Sequence, residues 1–363
     1  MCSKRMFSLL VSGALLFTLT ACGPKQAPPA SSSEPPDTSV LAPVEPDPEP
    51  VLPYVNPLTG EGCEQDISQN RPVAIMLNNL KKALPQLGVS QADIIYACLA
   101  EGGITRMMGV YQSVEGVGMI GSVRSARPYY LELALGHDAL YIHAGGSEDA
   151  YAKIRSWDVD HFDAVRGPYQ GRSPDSNLMW RDADRRKNNG LEHSVVTTGS
   201  AIETYLPEEV RREHKEDYRY PQQFTDDGTP AAGEKAVTVT VPFSNYKTGV
   251  FTYDEESRTY LVEEYGQPYI DGNTGEQVGV TNVIILQTAC SATGDSLAHI
   301  TVDLTSGGEG WYACGGKIIP IHWSKADRSS SFVYTTEDGE PLVLGRGKSY
   351  VNIIPLNSEV IFA

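Results

Sequence analysis

A chain of 363 residues with 40% hydrophobic content is long enough for one or two cores, and length alone suggests about two domains. Its formal net charge is −17. So acidic a body disfavours general nucleic-acid binding and adsorption to anionic lipid, so any anion site has to be local.

The chain opens MCSKRMFSLLVSGALLFTLTAC. Lys4 and Arg5 form a positive start, and Met6 to Thr20 is an apolar run of about fifteen residues. That is short for a membrane span but suits the apolar segment of a signal peptide. Leu19-Thr20-Ala21-Cys22 places small residues before a cysteine, as a lipoprotein signal peptidase requires. Residues 1–21 are therefore expected to be a lipoprotein signal peptide, with the mature chain beginning at a diacylglycerol-modified, N-acylated Cys22. Two or three acyl chains give stable membrane anchoring. No later run is long and apolar enough to span, which puts the remainder outside the cytoplasm. Without Lys4 and Arg5 the charge moves from −17 to −19.

Residues 22–53 carry recurrent prolines among Ser, Glu and Asp, a composition that cannot bury a core and reads as an extended, disordered linker. From about 54 to 233 the periodicity is mixed. Val73–Leu77, Asp93–Leu99 and Ile104–Tyr111 read as strands, the last two joined at Glu101-Gly102-Gly103. Pro128–Leu135 reads as a helix with proline in its first turn and Gly136 as its stop. Ala139–His143 is a strand, Ser147 caps a helix, Val195–Thr198 is a strand, and Ser200 caps a helix to Leu206. Glu208–Tyr220 reads as an exposed, partly helical connector. From 234 to 363 helix signals stop, and short β-like runs such as Asn282–Gln287, Lys317–Trp323 and Ser349–Ile354 alternate with turn signals. The expected class is α+β: a mixed α/β domain over 54–233, then an all-β, barrel- or sandwich-like domain over 234–363.

The sharpest local signal is Gly121-Ser122-Val123-Arg124-Ser125-Ala126-Arg127-Pro128, which leads into a helix. Free N–H groups, the positive helix end, two hydroxyls and two guanidinium forks meet there, which makes Ser122, Arg124, Ser125 and Arg127 a candidate anion cradle. The competing reading pairs the arginines with internal carboxylates such as Glu101. Glu101, Arg106, His143 and Asp182, with His193, are candidate supporting groups for acid–base work at the same edge. His143-Ala144-Gly145-Gly146-Ser147 has the strand–glycine–helix form of a phosphate loop but lacks its lysine, and Glu148 and Asp149 favour a self-capped helix. Asp158 to Asp163 is an incomplete calcium loop and reads as solvated. Trp311, Tyr312 and Trp323 read as core or as a glycan shelf. Cys63, Cys98, Cys290 and Cys314 match no metal motif, and an exterior location permits either a Cys290–Cys314 disulfide or free thiols. No cofactor motif is present.

Asn56-Pro57-Leu58-Thr59-Gly60, Arg71-Pro72-Val73-Ala74, Gln91 to Tyr96, Glu101 to Arg106, Gly121 to Tyr129, His143 to Ser147, Arg181-Asp182, Asn282-Val283-Ile284, Gly315-Gly316-Lys317 and Trp323 follow one another in an order that resembles the YerB-like bacterial lipoproteins. Ala97, Ser122 and Glu192-His193 depart from that pattern. The resemblance covers about residues 54–363 and implies an N-terminal and a C-terminal domain of unknown function, with no reaction to carry over. Two readings follow. One is a lipid-anchored, non-catalytic envelope protein that binds an anionic wall component or a wall-assembly protein. The other is a hydrolase or transferase on a wall glycan or phosphodiester, using the arginine, carboxylate and histidine groups.

Overall fold

Residues 52–363 are described in a computed structural model of the chain. The signal peptide, Cys22 and nearly all of the linker fall outside the described residues.

Strands β1 (Val73–Asn78), β2 (Ile94–Leu99) and β3 (Thr105–Tyr111) are buried along their whole length. Their alternation explains why. In β1, Ile75 and Leu77 point into one hydrophobic cluster while Ala74 and Met76 point into another, so both faces of the sheet are covered and the run reads as continuously apolar. A short strand β4 (Met119–Gly121) leads to helix α1 (Pro128–Gly136), then β5 (Leu140–His143), α2 (Glu148–Trp157) and β6 (His161–Asp163). Next come β7 (Met179–Arg181), α3 (Ala183–Asn188), β8 (Val195–Thr198) and α4 (Gly199–Tyr205). The second half is β-rich: β9 (Thr238–Ser244), β10 (Lys247–Asp254), β11 (Thr259–Glu264), β12 (Asn282–Thr288), β13 (Cys290–Ala292), β14 (Ile300–Val302), β15 (Gly308–Cys314), β16 (Lys317–Ser324), β17 (Val333–Thr336) and β18 (Ser349–Pro355).

The expected α+β class, with a β-rich C-terminal part, is what forms. One mixed sheet of eleven strands runs β16-β15-β12-β18-β2-β3-β1-β5-β6, with Glu234–Lys235 and β17 both on β16. β18 pairs in parallel with β12 on one side and β2 on the other. The sheets are open rather than closed into barrels. One face of the large sheet packs on the sheet of β9–β11 and on residues of β4, β7 and β8; the other packs on α1 and α2. α1 is held against the sheet end by its tyrosines: Tyr129 donates to the Leu99 carbonyl, and Tyr130 donates to the Arg106 carbonyl while accepting from the Cys98 N–H. Among the described residues no helix is long and apolar enough to cross a membrane.

Several local expectations change. α4 is capped by Thr198, whose hydroxyl accepts from Ala201 N–H, rather than by Ser200. The 208–220 connector is not helical. It is largely exposed, as expected, and is tied down at Asp138 just past α1, which takes Arg211, the His214 ring and the Lys215 N–H. Only the first part of 158–163 is the expected solvated loop: Asp158 and Asp160 are exposed, Asp160 pairing with Arg71, whereas 161–163 form β6, where Asp163 is buried. Tyr312 and Trp323 are core residues, 1% and 2% exposed, and the Trp323 indole N–H donates to the Gln287 and Glu309 carbonyls. Cys63, Cys98, Cys290 and Cys314 are all free thiols.

Candidate anion-binding notch

Residues 122–127 form an extended ribbon across the ends of three strands. Val123 N–H donates to the Val195 carbonyl, Arg124 N–H to the Met76 carbonyl, and Ala126 N–H to the Gly145 carbonyl. The ribbon brings Arg124 and Arg127 beside Arg106 of β3, Glu101 of the β2–β3 turn, Arg181 at the end of β7 and Glu192 before β8. These side chains line an open concavity of about 340 Å³. Four guanidinium groups against two carboxylates leave a local excess of positive charge on a chain of net charge −17.

The arginines divide into two pairs. Arg106 and Arg127 are 3% and 7% exposed, and both bind Glu101, Arg127 through Nη2 at 2.7 Å. Arg106 also donates to the Ser125 carbonyl. Burial would raise the Glu101 carboxyl, but Arg106 and Arg127 outweigh it and hold it below the usual range. Burial and the neighbouring Arg127 push Arg106 down to about 10 against the opposing pull of Glu101, so it stays charged at neutral pH. Arg124 and Arg181 are different. Among the described residues neither forms an ion pair: Arg124 donates to the Glu192 carbonyl, and Arg181 to the Leu191 carbonyl and the Ser194 hydroxyl. Burial depresses both. Glu192 pulls on Arg124 without pairing with it and offsets part of their charge.

The other candidates are placed as follows. Ser125 lines the notch, but its hydroxyl donates to the Ala144 carbonyl. Ser122 is fully buried; its N–H donates to Gln86 Oε1, and its hydroxyl has no partner. Asp182 caps α3 by accepting from Arg185 N–H. His193 is buried and accepts from the Asn78 amide at Nδ1. His143 is fully buried and faces another cluster. Its Nδ1 lies 2.7 Å from the Gly145 carbonyl, so Nδ1 carries the proton, and Nε2 accepts from His161 Nδ1 at 2.9 Å. Burial pushes His143 down to about 4, against the pull of Asp163 and the Gly145 carbonyl. The structure therefore does not bring Ser122, His143 or Asp182 into the notch.

The phosphate-loop-like segment is occupied by the chain itself. Asp163 accepts from the Gly145, Val165 and Arg166 N–H groups and from the Tyr151 hydroxyl, so a carboxylate sits where such a loop would hold an anion. Ser147 caps α2 by accepting from Ala150 N–H. Arg181 and Glu192 were not legible as site residues; the signal available was that Arg181 stands in one of the blocks shared with the YerB-like pattern.

Comparison with known proteins bears on the same segments. Family models described as the N-terminal and C-terminal domains of "Protein of unknown function (DUF3048)" match residues 58–212 and 239–351. "Putative lipoprotein YerB" of Bacillus subtilis (strain 168) is 32% identical over 301 residues, which is 82% of this chain and 86% of that protein. The chain belongs to the YerB (DUF3048) family. The crystal structure of the Bacillus subtilis YerB protein superimposes with a TM-score of 0.70 at 28% identity, covering 85% of this chain and 99% of that one. Three of the blocks that carry the YerB-like pattern build the notch: Glu101 to Arg106, Gly121 to Tyr129, and Arg181-Asp182.

Proposed function

We propose that this YerB-family protein is a lipid-anchored, extracytoplasmic binding protein of the cell envelope, and that its notch holds an anionic group of a wall component. The observation that carries the reading is the pair Arg124 and Arg181, two guanidinium groups lining a concavity without a carboxylate partner. Arginine's planar fork suits phosphate or carboxylate, and each bidentate contact contributes about 1.5–3 kcal/mol before ordering costs. Two such contacts suit a phosphate group held between millimolar and tens of micromolar, and a polymer carrying many phosphates gains further by multivalency. The acid–base groups favour binding over hydrolysis. Glu101 is clamped by two arginines with its carboxyl held low, which makes it a poor proton donor. His143 is buried and bonded at both ring nitrogens.

Arg124→Ala with Arg181→Ala should weaken inorganic phosphate and phosphate-polymer binding at least tenfold in calorimetry, with a melting temperature within a few degrees of the parent. Unchanged binding would remove the notch as the site. Anchoring rests on the Leu19-Thr20-Ala21-Cys22 sequence and on the word lipoprotein in the relative's name. Mass spectrometry of native protein should find an acylated Cys22 as the first residue, and an unmodified or differently placed N-terminus would overturn it.

A further inference from the structure

A second and larger concavity, about 650 Å³, opens on the other side of Arg127. It lies between the first turns of α1 and α2 and the β13–β14 hairpin. Ser125 and Arg127 line both concavities, so notch and cleft are two compartments of one trough. A volume of this size takes a small molecule or one or two sugar rings.

The cleft's chemistry is unlike that of the notch. Four carboxylates line it against Arg127 and Lys153: Glu148 pairs with Arg166 and Asp295 bonds the His299 ring, while Glu132 and Asp149 have neither an ion pair nor a hydrogen bond among the described residues. Four carboxylates against two cations leave an excess of negative charge that opposes an anion. A wholly apolar ligand would strip them of water with nothing in exchange. A neutral ring bearing several hydroxyls meets both demands: its hydroxyls donate to the carboxylates, and its C–H face lies on apolar side chains such as Pro128 and Ile300, which also line the cleft. Thr301, exposed on β14, adds another hydroxyl. The trough thus sorts a ligand by parts, anionic on the side of Arg124 and Arg181, uncharged and hydroxylated beyond Arg127. We infer that the ligand is a glycosyl phosphate, with its phosphoryl group in the arginine notch and its sugar in the cleft between α1, α2 and the β13–β14 hairpin. This rests on the anion-binding reading of the notch and adds the class of molecule that carries the anion.

Calorimetry with inorganic phosphate, glucose and glucose 1-phosphate on the mature chain tests it. Glucose 1-phosphate should bind at least tenfold more tightly than inorganic phosphate. Thr301→Trp, which fills the cleft from an exposed strand position, should cut glucose 1-phosphate to the affinity of inorganic phosphate and leave inorganic phosphate unchanged. Glu132→Leu should give the same pattern, so a folding defect in one variant does not decide the matter. Arg124→Ala with Arg181→Ala should abolish both. If glucose 1-phosphate binds no more tightly than inorganic phosphate, or if the cleft variants weaken both equally, the glycosyl inference fails while the anion site stands. If neither phosphate compound binds, both readings fall.

Discussion

Replacing Glu101 by Gln would leave Arg106 and Arg127, at 3% and 7% exposure, without their carboxylate. Breaking a buried ion pair by removing one partner costs about 3–5 kcal/mol, because the orphaned charges stay desolvated. The same change raises the positive excess of the notch by one. Glu101→Gln should therefore lower the urea midpoint while tightening inorganic phosphate several-fold, and weaker phosphate binding would show that Glu101 positions the anion-holding groups rather than opposing them. At this scale the sequence was informative about Arg124 and Arg127, because two arginines at a helix start stand out in an acidic chain. It also offered Glu101 as their internal partner, which holds for Arg127 but not for Arg124; Arg106 takes the other carboxylate oxygen. Arg181 was not legible, because its approach to Arg124 depends on β8 lying between β4 and β7, a pairing that no local pattern encodes.

Elements with strong local chemistry were readable to within a residue or two. β1, β2, α1 and β12 each combine apolar periodicity with a clear start or stop. β15 was read only in part, its Cys314 end as an apolar β-like run and its start as the turn Ser306-Gly307-Gly308, because Gly308 and Gly310 dilute its pattern. Gly310 is there for a close approach: a Cβ at that position would lie 2.2 Å from the Ile285 carbonyl oxygen of the paired strand β12. The connector 208–220 is exposed, as its charges imply, but not helical, because Arg211 and the Lys215 N–H are drawn onto Asp138. The start of α4 offers a direct measurement. Thr198 caps the helix and Ser200 lies two residues on, so Thr198→Ala should cost about 1 kcal/mol and Ser200→Ala less than about 0.5 kcal/mol. Equal costs for both would mean that the cap is shared.

For the whole molecule, buried titrating groups set the response to acid. His137 and His143, at 6% and 0% exposure, are both pushed down to about 4, chiefly by burial. The unfolded chain therefore binds protons at about pH 6.5 that the folded chain refuses until about pH 4, and stability is lost across that window as pH falls. Each histidine contributes a loss of about 3 kcal/mol by the lower end. Asp93 acts in the opposite sense. Burial raises it to about 6, so acidification from there to about pH 4 returns about 3 kcal/mol. Two histidines outweigh one aspartate, so the melting temperature should fall between pH 6.5 and 4. His143→Asn should flatten the decline. A pH profile that rises on acidification would show that Asp93 dominates.

β18 comes last in chain order among the strands of the largest sheet yet lies in its interior, between β2 and β12. Until the ribosome has added residues 349–355, β2 has an open edge and β12 lacks its parallel neighbour. The strands of the first half therefore cannot complete this sheet by themselves, because β2 has to wait for β18. A keystone strand drawn from the second half of the sequence couples the two halves, so neither can lock its part of the sheet while the other is unfolded.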